Sequence, residues 1–157
     1  MLNVTQFKEH VITPALSSLQ KYSDDAVELL LFTCAAESNG GSYLTQLKGP
    51  ALGIYQMEPT TYQDIWANYI YPNGSLLNIM SLNFNAGIIP PPERLIYDLS
   101  FATVMTRLHY SRFHEPLPPV SDIDAIWEYY KKYYNTSKGK AKKTESIKKY
   151  KEFLKNT

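Results

Sequence analysis

The chain has 157 residues, 44% hydrophobic and 20% charged, enough for one domain to bury a core without staples. Sixteen basic residues against fifteen acidic ones leave a formal charge of +1, so no global field exists to gather nucleic acid or a polyacid. A single cysteine, Cys34, excludes an internal disulfide and argues against a Cys-ligated metal. No stretch approaches a membrane span, and MLNVTQFKEHVITPALSSL lacks the apolar core of a signal peptide. The expectation is a chain made in a cytoplasm, wherever it later works, with no stable membrane insertion.

Helical periodicity governs the order of elements. A first amphipathic segment covers roughly residues 4 to 20, with Val4, Phe7, Val11 and Ile12 on one side and Pro14 as a bend. Ser23 reads as an N-cap, with Asp24 and Asp25 in the first turn. From Ala26 to Ala36 the segment is apolar nearly all round, which predicts a central buried helix stopped by Gly40 and Gly41. Residues 42 to 58 read as irregular or short strand. Pro59 opens a helix to about Tyr71, ended by PNG, and a shorter helix follows Ser75. IIPPPERL is a rigid break whose last proline opens a helix to about Phe113. HEPLPPVSD is a loop, after which Ser121 or Asp122 caps a tyrosine-rich helix to about Tyr134. A lysine-rich helix closes the chain. With no repeat and no linker, residues 1 to 157 form one compact, mostly helical domain with minimal β-structure.

Within LLLFTCAAESNGG the only charge is Glu37, where the buried helix is about to end. Leu30, Thr33 and Cys34 share its face, so apolar surface lies against the carboxyl. Burial disfavours the charged form, and the negative end of the helix dipole pushes the same way. Both effects keep a proton on Glu37 where an ordinary Glu, with a pKa of about 4.3, has lost it. Such a group suits general-acid catalysis.

Sixteen residues on stands GIYQMEPTTY. Together, Glu37-Ser38 and the segment Gly53, Ile54, Gln56, Met57, Pro59, Thr61 resemble the signature of lysozyme-like lytic transglycosylases, of the goose-type lysozyme superfamily. YNTSKG, Tyr134 to Gly139, resembles a weakened form of the family's Tyr-Asn-Ala-Gly element. Phage-encoded cell-wall lysins of similar size look like the nearest relatives. The resemblance implies a lysozyme-like fold with a substrate groove. It implies cleavage of the β-1,4 bond between N-acetylmuramic acid and N-acetylglucosamine by one Glu, first acid and then base. The muramic acid 6-hydroxyl closes a 1,6-anhydro ring. No Asp or Glu stands between Glu37 and Gln56, in keeping with a one-carboxylate route; Glu58 lies just beyond.

On that resemblance Glu37 is the catalytic residue, and Ser38, Gly53, Tyr55, Gln56, Tyr134 and Asn135 bind substrate. Tyr134 matches a family tyrosine that contacts the catalytic Glu. Gln56 carries both a donor and an acceptor for an acetamido group, and Gly53 lets backbone approach a sugar closely. Glu58, just before a helix start, is either a cap or a second carboxylate. The partner is the peptidoglycan glycan strand, met by a monomer acting on the cell wall without cofactor or metal. Alternatives are a hydrolytic muramidase on the same fold, a silent wall-binding module and a virion-structure protein. His109, His114 and Glu115 lack a spacing that sets both imidazoles on one helix face, which argues against a metal. The stretch from Lys138 to Lys155 carries eight lysines against two glutamates and reads as a solvated face or a contact to anionic wall polymers. RLHYSRF alone is weak evidence for nucleic acid.

Overall fold

The apolar run that carries Glu37 becomes the axis of the molecule. The computed structural model describes residues 1–157 and contains eight helices with almost no strand. These are α1 (residues 4–18), α2 (Asp24–Ser38), α3 (residues 59–70), α4 (Gly74–Phe84), α5 (Arg94–Tyr97), α6 (Leu99–Ser111), α7 (residues 123–135) and α8 (Lys143–Leu154). Helix α2 is buried on nearly every side, because α1, α6, α7 and α8 all pack on it. Its apolar content all round is the sequence form of that placement. Thirty-eight buried hydrophobic residues form one contiguous cluster, so the chain has a single core.

The caps follow local chemistry. Ser23 Oγ accepts from the Ala26 amide at 3.1 Å, Asn73 Oδ1 from Leu76 at 3.1 Å and Asp122 Oδ1 from Ala125 at 2.9 Å. The single helix expected after the prolines is broken into two. Asp98 leaves helical geometry, and its Oδ1 accepts from Phe101 at 2.9 Å while its Oδ2 pairs with Arg94 at 2.9 Å. A side chain able to cap the following turn competes with the backbone ladder there.

Three helices contain a widened π-turn, at Lys8–Ile12, Trp66–Ile70 and Lys131–Asn135. The first has a local cause. Pro14 has no amide to donate and its ring crowds the carbonyl one turn back; widening the helix just before it relieves that clash. The Thr13 amide accordingly reaches Lys8 O, five residues back.

Helix α2 ends in left-handed backbone, Asn39 at φ 52° and Gly40 at φ 64°. A Cβ on Gly40 would lie 2.5 Å from the buried Phe153 ring of α8, so a glycine is required for this close approach. Both chain ends knit into the same spot. Leu2 N donates to Gly40 O at 2.7 Å, Val4 N to Asn156 O at 2.8 Å, and Asn156 Nδ2 to Met1 O and Leu2 O at 3.2 and 2.8 Å.

Candidate active site

The segment between α2 and α3 has no regular strand but is tightly folded. Leu52 and Met57 exchange both backbone hydrogen bonds, at 2.9 and 3.0 Å, and Gly53 to Gln56 form the turn between them. Gly53 has φ 75°, and a Cβ there would meet Leu95 O at 2.2 Å. Gln56 takes left-handed backbone at φ 49°, and its Nε2 donates to Gly53 O at 2.8 Å, closing its own turn. Three helices hold this hairpin through hydroxyls. Ser38 Oγ of α2 donates to Ile54 O at 2.6 Å, Tyr134 of α7 donates to Tyr55 O at 2.7 Å, and Tyr55 Oη bonds Thr103 Oγ1 of α6 at 3.0 Å.

A cleft of about 720 Å³ opens between the hairpin and the C-terminal part of the chain. Gln46, Gln56, Met57, Glu58 and Thr61 line one wall. The other is built from α7, the loop after it and the first turns of α8. Glu37 lies half-buried in the cleft, at the end of the central helix. Its Oε1 accepts a hydrogen bond from the Tyr130 hydroxyl at 2.6 Å.

Burial raises the Glu37 pKa to about 7, and this outweighs the Tyr130 hydrogen bond, the positive charges of Lys149 and Lys131 and the Asn135 amide, all of which favour the carboxylate. Burial also raises the phenol of Tyr130, with the Glu37 charge adding to it, so the hydroxyl stays a donor at neutral pH. Helix α2 is therefore both the scaffold and the source of the low-polarity setting. The carboxyl is poised to give up a proton near neutrality and to take one back.

Glu37, Gln56, Tyr134 and Asn135 share this cleft, as the motif reading expects. Ser38, Gly53 and Tyr55 stand behind its wall. Ser38 and Tyr55 are fully buried, and their hydroxyls are spent on Ile54 and Thr103. Their geometry supports the hairpin and offers nothing to a ligand in the cleft. Gln56 keeps only part of its expected capacity, because Nε2 is used internally and Oε1 alone is without a partner.

The tyrosine on Glu37 is Tyr130, one turn before the expected Tyr134. The π-turn at Lys131–Asn135 shifts the register after Tyr130, and Tyr134 reaches the hairpin carbonyl instead. The two rings lie 6.2 Å apart and nearly parallel, so both belong to the same wall. Glu58 occupies the N-cap position of α3, but its side chain makes no capping hydrogen bond and is exposed on the cleft. Pro59 leaves no N1 amide, and the Glu58 carboxylate stays in solvent. Asn135 Oδ1 accepts from Lys131 Nζ at 2.6 Å, and the same ammonium reaches Gly139 O at 2.8 Å, which fixes the loop after α7.

His109 also lines the cleft, and its role is structural. Arg112 Nη2 lies 2.7 Å from Nδ1 and can only donate, so Nδ1 accepts and the proton sits on Nε2, which donates to Tyr133 O at 2.7 Å. Burial lowers the His109 pKa to about 4, leaving a neutral ring that braces the π-turn. Three exposed lysines, Lys138, Lys140 and Lys142, have no carboxylate partner and form a basic rim; Lys149 pairs with Glu145 at 3.1 Å. Comparison with family models, with curated proteins and with solved structures gave no match. The chemistry of the cleft therefore carries the functional reading alone.

Proposed function

We propose that this chain cleaves the glycan strands of peptidoglycan at the bond between N-acetylmuramic acid and N-acetylglucosamine, as a lytic transglycosylase with a lysozyme-like arrangement. One observation carries the reading: the Glu37 carboxyl, at the end of a buried helix and open to a cleft of about 720 Å³, has its pKa raised to about 7 and is bonded to a tyrosine hydroxyl. With Tyr130 donating to Oε1, the proton resides on Oε2. Glu37 gives that proton to the glycosidic oxygen as the bond breaks and the sugar takes on oxocarbenium character. The carboxylate left behind is stabilised by Tyr130 and by Lys131 and Lys149 nearby. It then removes the proton of the muramic acid 6-hydroxyl, whose oxygen closes the anhydro ring. No water has to be activated, which fits a carboxyl without a bonded acidic partner.

Gln56 Oε1 is free to accept from an acetamido N–H, and the lysine rim favours strands whose stem peptides carry carboxylates. A hydrolytic muramidase is the second reading, favoured by one observation: Glu58 is exposed on the same cleft and is not engaged as a cap. Digestion of purified cell-wall sacculi by the wild-type chain and by Glu37→Gln tests both. Anhydro ends from the wild type and none from the variant support the transglycosylase. Reducing ends make it a hydrolase, and glycan binding without fragments makes it a binding module.

A further inference from the structure

Helices α6 and α7, which give His109 and Tyr130 to the cleft, also line a second cavity of about 210 Å³. Tyr110 and Tyr129 line it, each next in sequence to a cleft residue, and Lys21, Arg107, Ser111 and the loop at Pro116 and Leu117 complete it. Lys21 and Arg107 are both half-buried, and neither forms an ion pair. Arg107 spends Nη1 on Ser111 Oγ at 2.8 Å, while its buried Nε has no partner. The Lys21 ammonium has no hydrogen-bond partner either; burial lowers its pKa, and the Arg107 charge adds to the effect. The one acid in the lining, Glu115, is exposed, and its carboxylate is taken by Lys132 at 3.1 Å and by the Tyr133 hydroxyl. Two half-buried cations in one lining without an anion leave charges unpaired where burial ordinarily requires pairing.

We propose that this pocket binds a small oxyanion, a phosphate or carboxylate group, between Lys21 and Arg107. Its volume equals that of about seven waters, which admits inorganic phosphate or a short carboxylate. Arg107 supplies directed N–H donors and Lys21 a point charge, the pair of features that suits an oxyanion. The site is independent of the wall-cleaving reading and needs no residue of the Glu37 cleft.

Amide NMR spectra titrated with sodium phosphate, sodium acetate and sodium chloride at equal ionic strength test it. The expected result is a saturating movement of the Lys21, Ser111 and Leu117 amides with phosphate or acetate and none with chloride. The tighter of the two identifies the oxyanion class. Arg107→Gln and Lys21→Gln should each weaken the response by about ten-fold or more, the loss of one charge-assisted hydrogen bond, while Lys148→Gln on the surface of α8 leaves it unchanged. If Arg107→Gln does not fold, the half-buried Lys21→Gln variant carries the comparison. Equal movement with all three salts, no saturation with any, or a response that survives Lys21→Gln would overturn the proposal.

Discussion

Replacing Glu37 with Gln separates the electrostatics of this carboxyl from its chemistry. Gln keeps the shape and cannot ionise. In the folded chain the Glu37 proton is held to about pH 7, against an ordinary value of 4.5. Below about pH 4.5 both folded and unfolded chains carry the proton, and the carboxyl costs nothing. As pH rises through 4.5 towards 7 the unfolded chain ionises first, and the folded state loses ground until its own carboxyl ionises. At 1.36 kcal/mol per pH unit that interval amounts to about 3 kcal/mol, an upper figure because the half-buried carboxyl still touches water. Glu37→Gln should therefore match the wild type in stability near about pH 4 and exceed it by up to about 3 kcal/mol near about pH 8. Urea unfolding followed by circular dichroism across that range measures the difference directly. A gap between variant and wild type that stays flat with pH would refute the raised pKa, and with it the acid role at neutrality.

Three further outcomes follow from the same cleft. Tyr130→Phe removes the donor to the carboxylate and should raise the Glu37 midpoint by about one pH unit, roughly half the worth of a hydrogen bond to a charged group. The alkaline limb of the cleavage–pH profile should move up with it, and carbon NMR of the glutamate carboxyls reports the midpoint itself. Gln56→Ala should slow cleavage of purified glycan strands about 2- to 10-fold, since one acceptor bond to substrate is worth about 0.5–1.5 kcal/mol; unchanged kinetics would remove Gln56 from the binding surface. Glu58→Gln should alter stability by less than about 0.5 kcal/mol, because the exposed side chain caps nothing, and should leave anhydro products forming. Loss of cleavage in that folded variant, with reducing ends from the wild type, would assign Glu58 as the base.

Local signals announced the axis of the molecule and the position of its carboxyl. The run from Ala26 to Ala36, the Ser23 cap and the glycines after Asn39 are all short-range features, and the structure realises each of them. Asp98 was legible only in part, since an Asp in a helical pattern becomes a cap only when the chain turns there. The identity of the tyrosine on Glu37 was not legible. Tyr129, Tyr130, Tyr133 and Tyr134 crowd one helix, and the π-turn at Lys131–Asn135, with which Tyr130 and not Tyr134 meets the carboxyl, has no signature in the pattern. Nor did sequence separate the glycine and serine of the motif that support the hairpin from the motif residues that line the cleft. Ser38 and Gly53 look functional by their place in a pattern, and only their burial and the close approach of Gly53 to the Leu95 carbonyl reveal the supporting role.

The meeting of both chain ends beneath the Glu37 helix has a topological consequence. Asn156 bonds Met1 and Leu2 directly, so residues 1 to 157 nearly close into a ring whose seam lies under the C-terminal end of α2. A short peptide joining the ends would tighten that seam at small entropic cost, and new ends opened in the exposed loop around Pro119 would leave the seam covalent. In a backbone-cyclised or circularly permuted chain of this kind, fraying of either end no longer loosens the segments that pack around Gly40 and Phe153, so rigidity is gained at the end of the helix that carries Glu37.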